Sequence, residues 1–563
     1  MAGALAQLDL TRAGAGSDPA PPAPTVVARP PASWPPQPGA FDGLTADWVI
    51  AENQLRGSTG WKIGGDEPAG VVQADGPVAM PIEGYLNTAS AALGERIEFR
   101  VSTASPSYTI AAYRMGWYGA YGGRLIWQSG PLPGWQQGPP RVDNDTNMAE
   151  ALWDTTFELS LHGPPFVPGV YLFVLTTAGG SKRLVPLTIR DDRSRARYLF
   201  VNAVADWQAY NEWGGASLYY GRRSRSGSRN YGARARVVSF DRPYDWGLGA
   251  GDFIGAELPL LMRMEEAGLD VTYVTSIDIH ENPDLVKRHT AVLSTAHDEY
   301  WSMQMREAFE TARDEGVNVV FFGANAMFRQ VRFQDSPIGK FRREICYKSS
   351  SEDPVDDRAL TTVNWRDAPV DRPEASLIGV QYDGQGFADL EVTHPDGWLW
   401  EGTGVGRGQK FSGVIGPEFD HAFSSSPGNL QIFARSAIME KRDRETFADT
   451  AYYSAPSGAG VFATGTIGWI SRLKTHYDTA EPLEPVLYHA TMNVLRLFGD
   501  GPAGKARPAI ANAASARATP LPKPPRYAPN VGALPPPTAP KPNPLPLPLP
   551  TTTTTTTSPI PLP

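Results

Sequence analysis

The chain has very little cysteine: Cys346 is the one cysteine among its 563 residues. A single thiol excludes an intramolecular disulfide, and it also excludes zinc sites and iron–sulfur clusters built from several cysteines. Any bound metal would therefore be held by oxygen atoms or by imidazole nitrogens. One cysteine fits the cytoplasm and an exported protein equally well.

A surplus of positive charge and long hydrophobic runs are also missing. The chain carries 51 Lys and Arg against 60 Asp and Glu, a formal net charge of −9, so a clustered positive surface for nucleic acid is not expected. No run of about 18 apolar residues is present, nor a basic start followed by an apolar stretch, which argues against a membrane span and a Sec signal. We therefore expect neither nucleic acid nor a membrane as a partner. The expected location is cytoplasmic, with secretion as the open alternative.

Familiar catalytic motifs are absent as well. The sequence has no GxSxG, no GxxxxGK[ST] and no HExxH, and no GxGxxG lies between a predicted strand and a helix. These absences argue against a serine hydrolase with a nucleophile elbow, a P-loop NTPase, a zinc protease and a dinucleotide-dependent enzyme. The chemistry must therefore come from other residue patterns.

Composition divides the chain into five segments. The proline-rich ends, 1–40 and 501–563, predict disordered tails, and 41–65 predicts a linker. Residues 66–190 alternate apolar and polar residues in short runs broken by Gly, Pro, Asn and Asp, which is typical of an antiparallel β-sandwich. Residues 191–500 alternate strand-like and helical runs. That pattern predicts an α/β domain with a parallel sheet, whose ligands bind at the carboxyl ends of the strands.

Polar residues follow directly after the predicted strands of 191–500. They are Tyr210, Asn211, Trp213, Tyr219 and Tyr220 after the first strand, His297, Asp298 and Glu299 after another, and Asn325 after a third. Strand ends of this kind build sites in open α/β sheets. Structural alternatives exist for each residue: an acid beside a helix N-terminus, a ring packed over the sheet, or an amide that caps a helix. The residues alone leave both interpretations open.

An arginine-rich segment, 222–236, lies between these strand ends and carries six arginines. It could bind an anionic substrate or RNA, although a run of charge is more often a solvated loop. We take Arg222 and Arg223, together with Trp213, as candidates for contact with substrate.

Several long motifs occur together with these residues. They are YRMGWYGAYGGRLIW (113–127), SFDRPY (239–244), HDEYWS (297–302) and FFGAN (321–325). In this order they resemble the large (β) subunit of N,N-dimethylformamidase and its shorter relatives, over about residues 66–500. The resemblance implies a glutamine-amidotransferase-like (flavodoxin-like) α/β domain with a parallel sheet, preceded by an Ig-like β-sandwich and flanked by the disordered Pro-rich tails. It also implies a hydrolase for the C–N bond of a linear amide, with a small amide as substrate and a small subunit or further copies of the chain as partner.

The resemblance further implies a metal centre. In that family a mononuclear ferric iron is held by two tyrosinates and one glutamate, and the matching residues here are Tyr210, Tyr219 and Glu299. Phenolate and carboxylate oxygens are hard donors that suit ferric iron. The other site residues implied are His297 for proton transfer, Asn325 for orienting the carbonyl or a water, and Glu418 as a further carboxylate.

Alternatives to this function remain at this point. The arginines after Tyr219 stand where the amidase carries an acidic loop, so the substrate need not be dimethylformamide and could be an anionic amide. A non-catalytic rival uses the tryptophan-rich sandwich, with Trp117 and Trp127, to bind a carbohydrate or an envelope polymer. A third reading keeps the site but uses it to hydrolyse another bond or for redox chemistry.

Overall fold

The computed structural model describes residues 41–64, 72–73, 76–77, 80–163, 165–221, 230–474, 483–518 and 523–524. The tail predicted over 1–40, and most of the one predicted over 501–563, lie outside the described residues. Within the described residues, no helix is long and apolar enough to cross a membrane.

The chain up to residue 190 consists mainly of β-strands, preceded by helix α1 (Asp47–Asn53). The strands are β1 (Val72–Gln73), β2 (Gly76–Pro77), β3 (Ile82–Leu86), β4 (Ser90–Ala92), β5 (Arg96–Thr103), β6 (Ser107–Met115), β7 (Gly123–Gln128), β8 (Leu132–Pro133), β9 (Arg141–Val142), β10 (Ala149–Glu150), β11 (Phe157–Ser160), β12 (Gly169–Thr177) and β13 (Lys182–Arg190).

Two sheets of this part share one hydrophobic core. One has the order β11-β5-β3, and the other has the order β4-β13-β12-β6-β7 with β8 beside β6. Alternate residues of β5, such as Ile97 and Phe99, are fully buried and meet Phe173 of β12 in that core. The period of two in the sequence therefore reflects strands with one buried face.

The remainder of the described chain adds fifteen strands and nine helices. The strands are β14 (Tyr198–Asn202), β15 (Val237–Ser239), β16 (Val271–Thr275), β17 (Ala291–Ala296), β18 (Tyr300–Ser302), β19 (Asn318–Gly323), β20 (Arg329–Gln334), β21 (Arg343–Ile345), β22 (Gln381–Gln385), β23 (Ala388–Glu391), β24 (Lys410–Ile415), β25 (Glu418–His421), β26 (Gln431–Glu440), β27 (Arg444–Ser454) and β28 (Gly460–Ala463). The helices are α2 (Val204–Tyr210), α3 (Leu258–Glu266), α4 (Ser276–Glu281), α5 (Met303–Asp314), α6 (Ala375–Ile378), α7 (Gly468–Ser471), α8 (Pro485–Asp500), α9 (Ala503–Ala506) and α10 (Ala513–Ala518).

The largest sheet has seven strands in the order β16-β14-β17-β19-β28-β27-β26. Its pairs from β16 to β28 are parallel, whereas β27 runs antiparallel to β28 and to β26. The apolar runs that the sequence shows around 197–203, 269–275, 290–296 and 317–323 form the first four strands, and they are buried on both faces.

The predicted fold class is wrong. The sequence predicts a glutamine-amidotransferase-like (flavodoxin-like) parallel-sheet domain behind an Ig-like β-sandwich, whereas the described residues form many small antiparallel and mixed sheets with few helices. The reason lies mainly between β19 and β28, where the connection is built chiefly from the strands β20–β27 rather than from helices. Two of those strands extend the main sheet in the antiparallel sense. The sheet around β12 is mixed as well, because β4 runs parallel to β13.

Helices α9 and α10 lie at the start of the segment predicted as the C-terminal tail. Ala503 of α9 is fully buried, and its backbone N–H donates to Asn318 Oδ1 at 2.9 Å. Asn318 also holds the backbone N–H of Gly460 at 2.8 Å. One buried amide side chain thus attaches the start of this segment to the main sheet.

Candidate functional site

Three neighbouring strands of the main sheet end at one place. Strand β14 is followed by α2, which carries Asp206 and Tyr210; β17 is followed by His297 and Glu299; and β19 is followed by Asn325. Because β17 pairs with both β14 and β19, the three carboxyl ends are adjacent. The expectation that polar residues at these ends lie together holds for this part of the sheet.

The backbone turns sharply where β17 and β19 end. A Cβ atom on Gly323 would overlap the carbonyl oxygen of Ala296, its partner across the ladder. Ala296 has φ 54° and Asn325 has φ 58°, in the left-handed region that residues other than glycine seldom adopt. The two turns bring Asn325 Nδ2 within 3.3 Å of His297 Nε2.

Two tyrosines meet on one buried carboxylate. Tyr210 Oη donates to Glu299 Oε2 at 2.5 Å, and Tyr219 Oη donates to Glu299 Oε1. The two rings are stacked, with centroids 4.7 Å apart, and Glu299 is fully buried. Three oxygen-bearing side chains from two segments therefore converge on a small volume.

Arg242, which is fully buried, forms hydrogen bonds to the loop between these two tyrosines. Its guanidinium donates to Gln208 Oε1 at 2.8 Å and to the carbonyl oxygens of Trp213 at 2.8 Å and Asn211 at 2.9 Å. A fourth bond reaches the carbonyl of Ala216 at 3.0 Å. The arginine of the SFDRPY motif thus fixes the backbone that carries both tyrosines.

His297 lies between two carboxylates. Its Nδ1 is 3.0 Å from Asp206 Oδ2, and its Nε2 is 2.9 Å from Glu418 Oε2. Burial alone would lower the pKa of His297, but the charges of Asp206 and Glu418 outweigh burial and hold the pKa well above its usual value. The two carboxylates therefore favour the charged, protonated form of His297, whose Nε2 faces Glu418.

Asn325 presents an unused acceptor. Its Nδ2 donates to Glu418 Oε2 at 2.9 Å, whereas its Oδ1 is buried and has no hydrogen-bond partner among the described residues. Its backbone N–H donates to Asp420 Oδ1 at 2.8 Å. A buried amide oxygen of this kind favours a polar ligand, because leaving it unpaired costs about 1–3 kcal/mol.

Two cations lie close to Glu299. Arg329 Nε donates to Glu299 Oε1 at 3.2 Å, and Lys348 Nζ lies 3.3 Å from the centre of the Tyr219 ring and donates to Tyr300 Oη at 2.7 Å. Burial would raise the pKa of Glu299, but Lys348, Arg329 and His297 together lower it. The carboxylate is thus ionised and available as a ligand.

These residues border a cavity of about 620 Å³. Its wall includes Tyr210, Tyr219, Asn325, Arg329, Lys348 and Glu418. Pockets of about 300–1,000 Å³ accommodate small-molecule ligands. The cavity therefore gives a small molecule direct access to the tyrosine pair and to the Asn325–Glu418 pair.

Comparison with known proteins assigns this chain to a family. Residues 109–479 match the family described as N,N-dimethylformamidase beta subunit-like, C-terminal. The chain belongs to that family. Two curated relatives are the N,N-dimethylformamidase beta subunits of Paracoccus aminophilus and of an Alcaligenes sp, each 23% identical over 325 residues. The similarity covers 50% of this chain and 42% of each relative, so the chain matches less than half the length of these relatives.

Membership of the N,N-dimethylformamidase beta subunit-like family supports an amidohydrolase-like function at the level of the family. It also agrees with the resemblance predicted from the sequence motifs. Both relatives are named as beta subunits.

Two sets of side chains at the site of this family member could hold a metal ion. One consists of Tyr210, Tyr219 and Glu299, whose oxygens already touch. The other consists of Asp206, His297 and Glu299, with ligand atoms within 4.8 Å of one another. In the second set both imidazole nitrogens already contact carboxylates. In the first set, both tyrosine hydroxyls would have to lose their protons to an ion's contact. Burial, together with the charge of Glu299, raises the pKa of Tyr210 and of Tyr219 well above the usual value, so the positive charge of an ion would have to offset this effect.

Other predicted site residues lie elsewhere. Trp213 is buried, donates its Nε1–H to Glu83 Oε1 at 2.9 Å and packs edge-on against Trp153, so it does not line the cavity. Arg222 and Arg223 lie outside the described residues. Glu418, by contrast, lines the cavity together with Asn325, and its Oε2 contacts His297 behind the wall.

The sandwich tryptophans named in the binding-protein alternative are half-buried. The Arg263 guanidinium lies 5.3 Å from the centre of the Trp117 ring, and Trp127 stacks on Phe157 with ring centroids 5.8 Å apart. Both rings therefore pack within the protein, and nothing about them favours a sugar platform.

Sequence reasoning missed three residues of this site, namely Asp206, Arg329 and Lys348. Asp206 lies four residues before Tyr210 on α2, and that spacing puts both on one helix face. This spacing could have identified Asp206. Lys348 lies in an irregular segment after β21, and no sequence pattern marks it.

Proposed function

We propose that this protein is an amidohydrolase that cleaves the C–N bond of a linear amide with a mononuclear ferric iron. One observation carries the proposal. Two tyrosines on the wall of a cavity donate their hydroxyls to one buried glutamate, beside a histidine that lies between two carboxylates, in a chain of the N,N-dimethylformamidase beta subunit-like family.

The donor set fits ferric iron. Tyr210 Oη and Tyr219 Oη each contact a different oxygen of the Glu299 carboxylate, so the three side chains already lie together. Phenolate and carboxylate are hard donors, and three protein ligands leave coordination positions open. Tyr210, Tyr219 and Glu299 would hold the iron, which supplies Lewis-acid polarisation of the amide carbonyl when bound.

The protein's own residues handle the water and the protons. Asn325 Oδ1, the unpaired acceptor, orients the attacking water through one of its O–H bonds. Glu418 Oε2 accepts a proton from that water, and His297 Nε2, 2.9 Å away, delivers a proton to the departing nitrogen. One C–O bond forms and one C–N bond breaks, so the amide and water yield a carboxylic acid and an amine.

The relatives' names bear on assembly. Because both are called beta subunits, we also propose that this chain works in an assembly, either with a small subunit or with further copies of itself. The mass of the purified protein in solution, by light scattering, distinguishes a lone chain from either assembly.

Amine release from a panel of simple amides tests the proposed activity. The iron-loaded full-length protein should release amine from at least one amide, and Glu299→Ala should abolish release while the circular dichroism spectrum stays unchanged. A folded Glu299→Ala protein with normal turnover would end the proposal. Glu281→Ala, on the exposed end of α4, is the matched control.

A further inference from the structure

The outer wall of the cavity is formed partly by the hairpin between β26 and β27. Glu440 ends β26, Arg444 begins β27, and Arg442 lies in the turn between them; all three line the cavity. We call residues 441–443 the rim turn. Arg442 is exposed, so it is also open to solvent.

The charged groups on the cavity wall differ in whether they have partners. Asp383 pairs with Arg444 at 3.0 Å and accepts from Thr446. Glu440 Oε2 accepts the backbone N–H of Arg442 at 2.9 Å. Three further charged wall residues also have partners. Glu418 is bonded to His297, Asn325 and Gln385. Arg329 is bonded to Glu299, and Lys348 is bonded to Tyr300.

Arg442 is the exception. Among the described residues its guanidinium has no hydrogen-bond or ion-pair partner, although the residue lines the cavity. Among the described wall residues, Arg442 is thus the cationic side chain that no other group engages, whereas the Glu440 carboxylate accepts a backbone N–H. Guanidinium is the side chain best suited to a planar carboxylate, which it binds through two parallel N–H···O bonds.

A chain of hydrogen bonds connects the rim turn to His297. Lys441 donates its backbone N–H to the Gln385 carbonyl at 2.8 Å and its Nζ to Gln385 Oε1 at 3.3 Å. Gln385 Nε2 donates to Glu418 Oε1 at 3.0 Å, and Glu418 Oε2 lies 2.9 Å from His297 Nε2. A group bound at the rim turn therefore has a defined position relative to the site of C–N cleavage.

We infer that the substrate is an amide that carries a carboxylate, and that Arg442 binds this carboxylate while the amide lies at Tyr210, Tyr219 and Asn325. The inference rests on the proposed function and names its substrate class. The cavity of about 620 Å³ has room for such a molecule, because pockets of this size hold ligands much larger than a simple formamide.

Paired ligands of equal shape test the inference. The probes are N-acetylglycine, N-acetyl-β-alanine and N-acetyl-γ-aminobutyrate, each compared with its neutral carboxamide. Calorimetric binding to the iron-loaded full-length protein, and amine release, are measured for the wild type, Arg442→Ala and Arg442→Lys. Arg407→Ala is the control, because Arg407 is exposed and is not part of the cavity wall.

We expect at least one carboxylate to bind about tenfold or more tightly than its carboxamide, as hydrogen bonds to charged groups predict. Arg442→Ala should remove this preference and leave carboxamide binding unchanged, Arg442→Lys should restore part of it, and Arg407→Ala should have no effect. Equal binding of each pair, or a preference that survives in Arg442→Ala, would overturn the inference. Arg442-dependent binding without any amine release would support carboxylate recognition but contradict the proposed hydrolysis.

Discussion

At His297 the charges of two carboxylates oppose the effect of burial and raise the pKa of the imidazole well above its usual value. Its Nε2 lies 2.9 Å from Glu418 Oε2 and 3.9 Å from Glu299 Oε2. In the proposed reaction, a proton on this nitrogen would be delivered to the departing amide nitrogen.

Replacing His297 by glutamine should remove the proton donor while keeping a hydrogen-bonding side chain. We expect amine release to fall by about 10²–10⁴-fold, as the loss of a general acid typically gives. Iron content should stay near that of the wild type, because His297 is not among the proposed ligands. His162→Gln, at an exposed position, is the matched control. Near-normal turnover in His297→Gln would remove the histidine from the mechanism.

Single residues of the site differ in how far the sequence could predict them. His297 and Glu299 follow an apolar run directly, so the strand end that presents them can be read from the sequence. Glu418 is different, since β25 reaches the site only through its pairing with β22 and contacts across a long insertion. Contacts between segments so far apart leave no local pattern, and the resemblance alone pointed to Glu418.

At the scale of elements, the short loop after α2 determines the geometry of the two tyrosines. Arg242 bridges several backbone carbonyls of this loop from a fully buried position. Burial lowers the pKa of Arg242 to about 10, against the opposing effects of Asp245 and Tyr244, so the guanidinium stays charged at neutral pH. A planar group with five donors is needed to reach these carbonyls together.

Arg242→Lys keeps the charge but loses the planar fork. We expect the loop to lose several hydrogen bonds. Each buried acceptor that is left unpaired should lower the free energy of unfolding by about 1–3 kcal/mol. Thermal unfolding should begin at a lower temperature, and the purified variant should hold less iron than the wild type. Arg236→Lys, in a more exposed ion pair with Glu352, should show neither change. Wild-type stability and iron content in Arg242→Lys would contradict a positioning role for this arginine.

Elements were predicted well where the pattern is local and poorly where it is not. The run at 485–499 was predicted as a helix and forms α8 (Pro485–Asp500). The pattern of 191–500 predicts a parallel sheet throughout, whereas the residues between β19 and β28 form β20–β27, whose pairings with one another are antiparallel, so the predicted fold class is wrong.

At the scale of the whole molecule, the motif YRMGWYGAYGGRLIW joins the sandwich part to the rest of the chain. Arg114 of β6 donates to both carboxylate oxygens of Glu265 on α3, at 2.9 and 2.6 Å, and both side chains are fully buried. Asn53 of α1 and Tyr273 of β16 bond to the same carboxylate. The 113–127 motif, which carries part of the sequence resemblance, therefore has a structural role: its Arg114 connects the sandwich part to α3.

Global stability should depend on pH through His289. This residue is buried, with Nδ1 donating to the Ala196 carbonyl at 2.6 Å, and burial lowers its pKa to about 4. In the unfolded chain His289 takes up a proton near pH 6.5, whereas in the folded chain it does so only near pH 4. As the pH falls across this window, protons therefore bind preferentially to the unfolded chain, and the contribution of His289 to the free energy of unfolding is lost. The full effect is about 3 kcal/mol.

Urea unfolding at several pH values checks this expectation. The difference in unfolding free energy between wild type and His289→Gln should shrink as the pH falls from 7 to 4, because glutamine keeps an N–H donor but does not titrate. A difference that is constant over this range would show that His289 does not contribute to the acid sensitivity.

The most direct test of the iron centre is the iron content and visible spectrum of the full-length protein purified without chelator. We predict about one iron per chain and a broad visible band from tyrosinate-to-iron charge transfer. The band should weaken or shift in Tyr210→Phe and Tyr219→Phe and stay unchanged in Tyr220→Phe. A protein that stays free of iron and colourless after iron is supplied would contradict the account. So would a band that survives both substitutions.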